Sequence, residues 1–131
     1  MTDAPRRILV IDDHPALARA LADILRRDGH QVTVAGGGPD GIAVFTVAHE
    51  QEAGYDAVIT DFSMDGADGL QVAAAIKALA PETIVALMTA YVVADSNELP
   101  ANVDCIVRKP PQLAELRAAV SGSLAARPPR S

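Results

Sequence analysis

The chain has 131 residues, half of them hydrophobic, one cysteine and a formal net charge of −6 at pH 7. That length holds one ordinary domain rather than two, the hydrophobic share excludes disorder, and the negative charge argues against nucleic acid as the main partner. The lone Cys105 excludes an internal disulfide and a cysteine-rich zinc site, no apolar run reaches membrane-spanning length, and the opening MTDAPRR lacks the apolar core of a signal peptide, so a cytoplasmic protein with no membrane partner is expected.

Strand-like and helix-like segments alternate along the chain. RILVID, Arg7 to Asp12, is a short apolar run ending in acid. PALARALADILRR follows, with Leu17, Leu21, Ile24 and Leu25 at one-face helical spacing. Pro15 suits its first turn and Gly29 its end. QVTVA, Gln31 to Ala35, reads as a strand, GGGPDG as a turn, and Asp40 to Gln51 as a second helix. YDAVITD is a third strand. Gly69 to Ala80 carries a helical stripe of Leu70, Ala73, Ile76 and Leu79 and stops before Pro81. TIVALMT and DCIVR are further strands, and Gln112 to about Ala126 places Leu113, Leu116, Val120 and Leu124 on one helical face. The segment from Tyr91 to Val103 is polar, and Pro100 limits any helix there.

The strands are continuous apolar runs rather than alternating ones, so both faces of the sheet are expected to be covered. Five strand–helix units of this kind predict an α/β fold with a parallel sheet and right-handed crossovers. In such a sheet ligands bind beyond the carboxyl ends of the strands, where the strand order reverses. The first strand ends in Asp12 and Asp13, the third in Asp61, the fourth in Thr89, and the fifth in Arg108 and Lys109. Three carboxylates brought together repel unless a cation sits among them, and oxygen donors of this type suit Mg²⁺. Asp61 would then serve as a nucleophile toward phosphorus, with Lys109 and Thr89 holding phosphoryl oxygens.

The stretches VIDDHP, VITDFSMDGADGL, LMTA and VRKP, in this order, resemble the motifs of a response-regulator receiver domain of bacterial two-component signalling. The resemblance runs from about Arg7 to Ala126, so residues 1–126 are expected to form the receiver domain and residues 127–131 a short tail. It implies a flavodoxin-like (βα)5 fold with strand order 2-1-3-4-5. It implies that Asp61 is the phosphoacceptor, and that Mg²⁺ is held by Asp12, Asp13, Asp61 and the main-chain carbonyl of Ser63. Thr89 and Lys109 would contact the phosphoryl group. The implied donor is a histidine kinase or a histidine phosphotransfer protein, and the implied output is altered binding of a downstream protein. Such a domain turns over no separate substrate; it catalyses only its own phosphorylation and dephosphorylation.

Departures from the family pattern are also visible. Asp65 stands where the family has proline, Ile106 where it has the aromatic residue linked to switching, and Pro111 where it has phenylalanine. Tyr91 is a candidate substitute for that aromatic ring. Two rival readings accompany the main one: an interaction module that works without phosphorylation, and a small phosphatase with Asp61 as nucleophile. The phosphatase needs a second acid two residues after its nucleophile, and Ser63 occupies that position. DFSMDG imitates the start of a calcium loop, but Val72 fills the position where that loop needs glutamate. GGGPDG lacks the ending of a phosphate-binding loop. His14, His30 and His49 have no metal-ligand spacing; His14 is expected to flank the first helix and the other two to lie at the surface. Cys105 is expected in the core.

Overall fold

A computed structural model describes residues 5–64, 68–89, 100–109 and 113–121. Five strands, β1 (Arg7–Ile11), β2 (Gln31–Ala35), β3 (Ala57–Asp61), β4 (Ile84–Thr89) and β5 (Cys105–Arg108), form one parallel sheet in the order β2-β1-β3-β4-β5. The helices among the described residues are α1 (Pro15–Arg27), α2 (Gly38–Glu50), α3 (Gly69–Leu79) and α4 (Leu113–Ser121).

The sheet divides the core in two. Ile8, Val10, Ile59, Met88 and Val107 face α1 and α4, meeting Leu21, Leu25, Leu116 and Val120. The alternate residues Leu9, Ile11, Val58, Val85 and Leu87 face α2 and α3, meeting Phe45, Val72 and Ile76. Both sides of each central strand are therefore buried, which is why β1, β3 and β4 read as unbroken apolar runs. Each fully buried aliphatic side chain of this type stabilises the fold by about 1.5–3 kcal/mol. β2 departs from the expected coverage: it is an edge strand, and Thr33 and Val34 are exposed.

Helix ends follow local chemistry. α1 begins at Pro15 and ends in a Schellman motif, with Gly29 at φ 98° and hydrogen bonds from Gly29 N to Arg26 O and from His30 N to Leu25 O. α2 ends in the same pair of bonds, from Glu52 N to His49 O and Ala53 N to Ala48 O, but with Glu52 at φ 58° in place of glycine. α3 opens with a capping box. The Gln71 N–H donates to Asp68 Oδ1 and the Asp68 N–H donates to Gln71 Oε1, each at 2.9 Å.

Several expectations need correction. α2 starts at Gly38, so the last four residues of GGGPDG are helix, with Pro39 in the first turn where its missing N–H costs nothing. The buried stripe of α3 is Gly69, Val72, Ala73 and Ile76; Leu79 is exposed and Leu70 half-buried. His49 is half-buried and stacked on Phe45, and His30 Nδ1 accepts a hydrogen bond from Arg6 N at 3.0 Å. Cys105 is buried, as expected. Asp65, Tyr91 and Pro111 lie outside the described residues, as do Gln112, Leu124 and the rest of the chain end after Ser121.

Candidate functional site

Strand register brings the acids together. Ile11 pairs with Thr60 on one side and Ala35 on the other, and Asp61 pairs with Met88. Asp12, one residue past Ile11, therefore emerges beside Asp61, at the carboxyl ends of β1 and β3. The chain leaves β1 for β2 on one side and returns to β3 on the other, so this point is where the strand order reverses. The backbone stays extended past both strands: Asp12 N donates to Ala35 O at 3.1 Å and Phe62 N donates to Met88 O at 2.9 Å.

Ligand atoms of Asp12, Asp13, His14 and Asp61 all lie within 4.8 Å of one another. Asp12 and Asp61 are buried, Asp13 is half-buried and His14 is exposed. Burial pushes the Asp12 carboxyl above its ordinary value, and the neighbouring charge of Asp61 adds to the rise. The hydrogen bond from His14 N to Asp12 Oδ1, at 2.8 Å, and the charges of Lys109 and His14 pull in the opposite direction without cancelling it. Asp12 Oδ2 and Asp13 Oδ1 are buried and make no hydrogen bond to the described residues. A buried carboxylate oxygen without a donor is costly, and a hard divalent cation satisfies it. The donor set therefore fits Mg²⁺.

Lys109 closes the site from β5. Its Nζ lies 2.7 Å from Asp61 Oδ1, and its own backbone N–H donates to Thr89 O at 2.9 Å, extending the β4–β5 ladder one step past the paired Thr89 and Arg108. Thr89 is buried at the tip of β4, one position beyond the residue that faces Asp61. Ser63 is exposed, two residues past Asp61. Ile106 is partly buried in the layer that holds Leu87, Val103 and Phe62. A cleft of about 220 Å³ opens beside the acids, between α1 and β2, lined by Asp12, Asp13, Arg19, Arg26 and Val34. A larger hollow of about 460 Å³ lies at the amino ends of the strands, lined by Arg7, Val44, Val47 and Tyr55, far from this chemistry.

The start of α3 is tied back to the end of β3. Gly69 N donates to Phe62 O at 2.8 Å, which draws the start of α3 against the end of β3. A Cβ on Gly69 would lie 2.6 Å from Asp61 O and 3.0 Å from Phe62 Cα. The sequence spacing of the histidines did not point to His14 as a member of this cluster; its adjacency to the acid pair was the available signal. Nor did sequence patterns reveal the close approach at Gly69.

The sequence model of the response regulator receiver domain family matches residues 8–121. The transcriptional regulatory protein GlrR of Escherichia coli is 33% identical over 91 residues, which is 70% of this chain and 19% of GlrR. The chain thus spans about a fifth of that regulator. A response regulator receiver domain protein from Clostridium thermocellum superposes with TM-score 0.77 at 29% identity, covering 90% of this chain and 93% of the other. The response regulator TrrA of Thermotoga maritima, solved in complex with Mg²⁺–BeF, superposes with TM-score 0.65 at 31% identity over 79% of this chain and 86% of that one. No helix among the described residues is long and apolar enough to cross a membrane.

Proposed function

This chain belongs to the response regulator receiver domain family, and on that premise we propose that it accepts a phosphoryl group on Asp61 from a phosphohistidine of a kinase or phosphotransfer protein. The observation that carries the reading is the Lys109–Asp61 pair at 2.7 Å beside the unsatisfied oxygens of Asp12 and Asp13. An aspartate paired only for stability would not need two further carboxylates within ligand distance.

In this reading an Asp61 carboxylate oxygen attacks phosphorus in line. A P–O bond forms, the P–N bond to the donor imidazole breaks, and the imidazole nitrogen keeps the electron pair. Lys109 Nζ moves its positive charge from the carboxylate to a phosphoryl oxygen, and the Thr89 hydroxyl donates to another. Asp12, Asp13, Asp61 and the Ser63 carbonyl hold Mg²⁺, which when bound offsets the negative charge shared by carboxylates and phosphoryl group. The Mg²⁺–BeF complex of the similar TrrA supports this ligand choice. Residues 1–126 form the receiver unit, and residues 127–131 its tail.

Phosphorylation biases a pre-existing equilibrium between loop arrangements, with Thr89 drawn toward the phosphoryl group. Ile106 has no ring to rotate, so the output in this chain runs through Thr89 and the residues that follow it, and alters the binding of a downstream protein.

Intact mass after incubation with Mg²⁺ and acetyl phosphate tests the reading. One added phosphoryl group is expected, absent from Asp61→Asn. An unchanged wild-type mass, or an equal gain in Asp61→Asn, would overturn it.

A further inference from the structure

We propose that His14 is a nitrogen ligand of the divalent cation at this site, so that the chain prefers borderline transition-metal ions over Mg²⁺ more strongly than an all-oxygen site would. This rests on the reading that Asp12, Asp13 and Asp61 bind a metal.

The geometry is specific. His14 Nδ1 lies 3.2 Å from Asp13 Oδ1 and 3.5 Å from Asp12 Oδ1. Adjacent ligands around an octahedral ion with bonds of about 2.1 Å are separated by about 3 Å. The imidazole nitrogen therefore already stands near the spacing of a neighbouring ligand in the same shell. Asp13 Oδ1, despite that proximity, makes no hydrogen bond. The site is built rather than incidental: the Asp12 side chain is fully buried, and its Oδ2 has no donor among the described residues.

The backbone places His14 there for a local reason. It is the N-cap of α1, in extended conformation, and its side chain makes no capping hydrogen bond. Asp12 Oδ1 instead accepts from the His14 N–H. The imidazole is thus left without a structural duty on the helix and lies over the acid pair. Imidazole donors favour Co²⁺, Ni²⁺ and Zn²⁺, whereas carboxylate and water suit Mg²⁺.

The test uses the full chain with Mn²⁺, Co²⁺ and Mg²⁺ as probes. Pulsed electron paramagnetic resonance of the Mn²⁺-loaded protein reads coupling to a bound nitrogen directly. Competition titrations give the ratio of Co²⁺ to Mg²⁺ association constants. Nitrogen coupling is expected in the wild type and not in His14→Ala, and the ratio should fall by at least about tenfold in the variant. His14 is exposed and its side chain makes no capping hydrogen bond, so His14→Ala is expected to keep the fold, and an Asp13→Ala control reports on the metal site itself. Loss of ion binding in Asp13→Ala, with equal ratios and no nitrogen coupling in wild type and His14→Ala, would overturn the role of His14 and leave the metal reading standing. Wild-type protein that binds none of the three ions, or binding undiminished in Asp13→Ala, would overturn both.

Discussion

Substituting Gly69 by alanine probes the link between packing and the acid cluster. The added methyl would sit 2.5 Å from Leu87 Cδ1, 2.6 Å from Asp61 O and 3.0 Å from Phe62 Cα. The leucine tip can swing away, but the other two atoms are backbone. They are held by the β3–β4 ladder and by the bond from Gly69 N to Phe62 O. Overpacking of this kind costs about 1–3 kcal/mol. Alanine gains up to about 1 kcal/mol over glycine in a helix interior, but Gly69 is the first residue of α3 and recovers little of that. A net loss of about 2 kcal/mol is expected, equivalent to a fall of roughly 6–12 °C in Tm for a domain of this size. Urea or thermal denaturation measures it, with Gly36→Ala as control, since a Cβ there meets nothing within 4 Å. Because the displaced group is Asp61 itself, phosphorylation by acetyl phosphate should slow in the folded Gly69→Ala protein by tenfold or more, an order-of-magnitude figure for a nucleophile shifted by a fraction of an ångström. A Gly69→Ala midpoint equal to wild type would refute the packing argument.

Other perturbations test separate features. The Asp12 carboxyl is raised mainly by burial, so the stability linked to its neutral form is fully present below the ordinary carboxylate value and is lost as pH rises through the raised one. Metal-free Asp12→Asn should therefore be more stable than wild type at neutral pH, with the difference vanishing in acid. The same variant should lose most of the stabilisation by Mg²⁺, which the proposed metal role sets at about 2.7 kcal/mol for wild type at a hundredfold excess over Kd; chemical denaturation across pH, with and without Mg²⁺, reads both effects. Lys77 Nζ donates to Pro81 O, Thr83 O and Asp104 Oδ2, the last two at 2.6 Å, and pins the end of α3 to the starts of β4 and β5. Lys77→Met should cost about 2–3 kcal/mol in equilibrium unfolding, the range for a largely buried charged donor. Glu52, at φ 58°, occupies a left-handed position suited to glycine, so Glu52→Gly should stabilise the protein by about 0.5–1 kcal/mol in the same measurement.

The amino-acid order alone was enough for the order of the described strands and helices and for which residues tip each strand. The reason is that both signals are local. Apolar runs in β1, β3 and β4 record burial on two faces at once, and the stripe of Leu21 and Leu25 records one buried face of α1. Gly29 marked a helix end because only a left-handed residue closes that motif without strain. The same logic failed for α2. GGGPDG looks like a turn, yet proline and aspartate are also first-turn residues, and only the packing of Gly38 and Gly41 under the layer settles which applies. Leu79 fits the helical period of α3 as well as Ile76 does, but it is the last residue of the helix and is exposed, whereas Ile76 is fully buried.

What required the folded chain was distance between residues remote in sequence. Lys109 meets Asp61 across the end of β4, which lies between β3 and β5 in the parallel sheet. Lys77 meets Asp104 through the opposite end of the same sheet. The raised Asp12 carboxyl and the unsatisfied oxygens depend on how completely neighbouring layers exclude water, and no motif encodes that. His14 stands over the acids through its backbone conformation at the N-cap, and Gly69 lies so near Asp61 O that a Cβ there would clash with it. Residue types name the chemistry a site is able to do. Strand register and burial set which atoms lie within ångströms of one another, because these arise from the packing of whole elements rather than from neighbours along the chain.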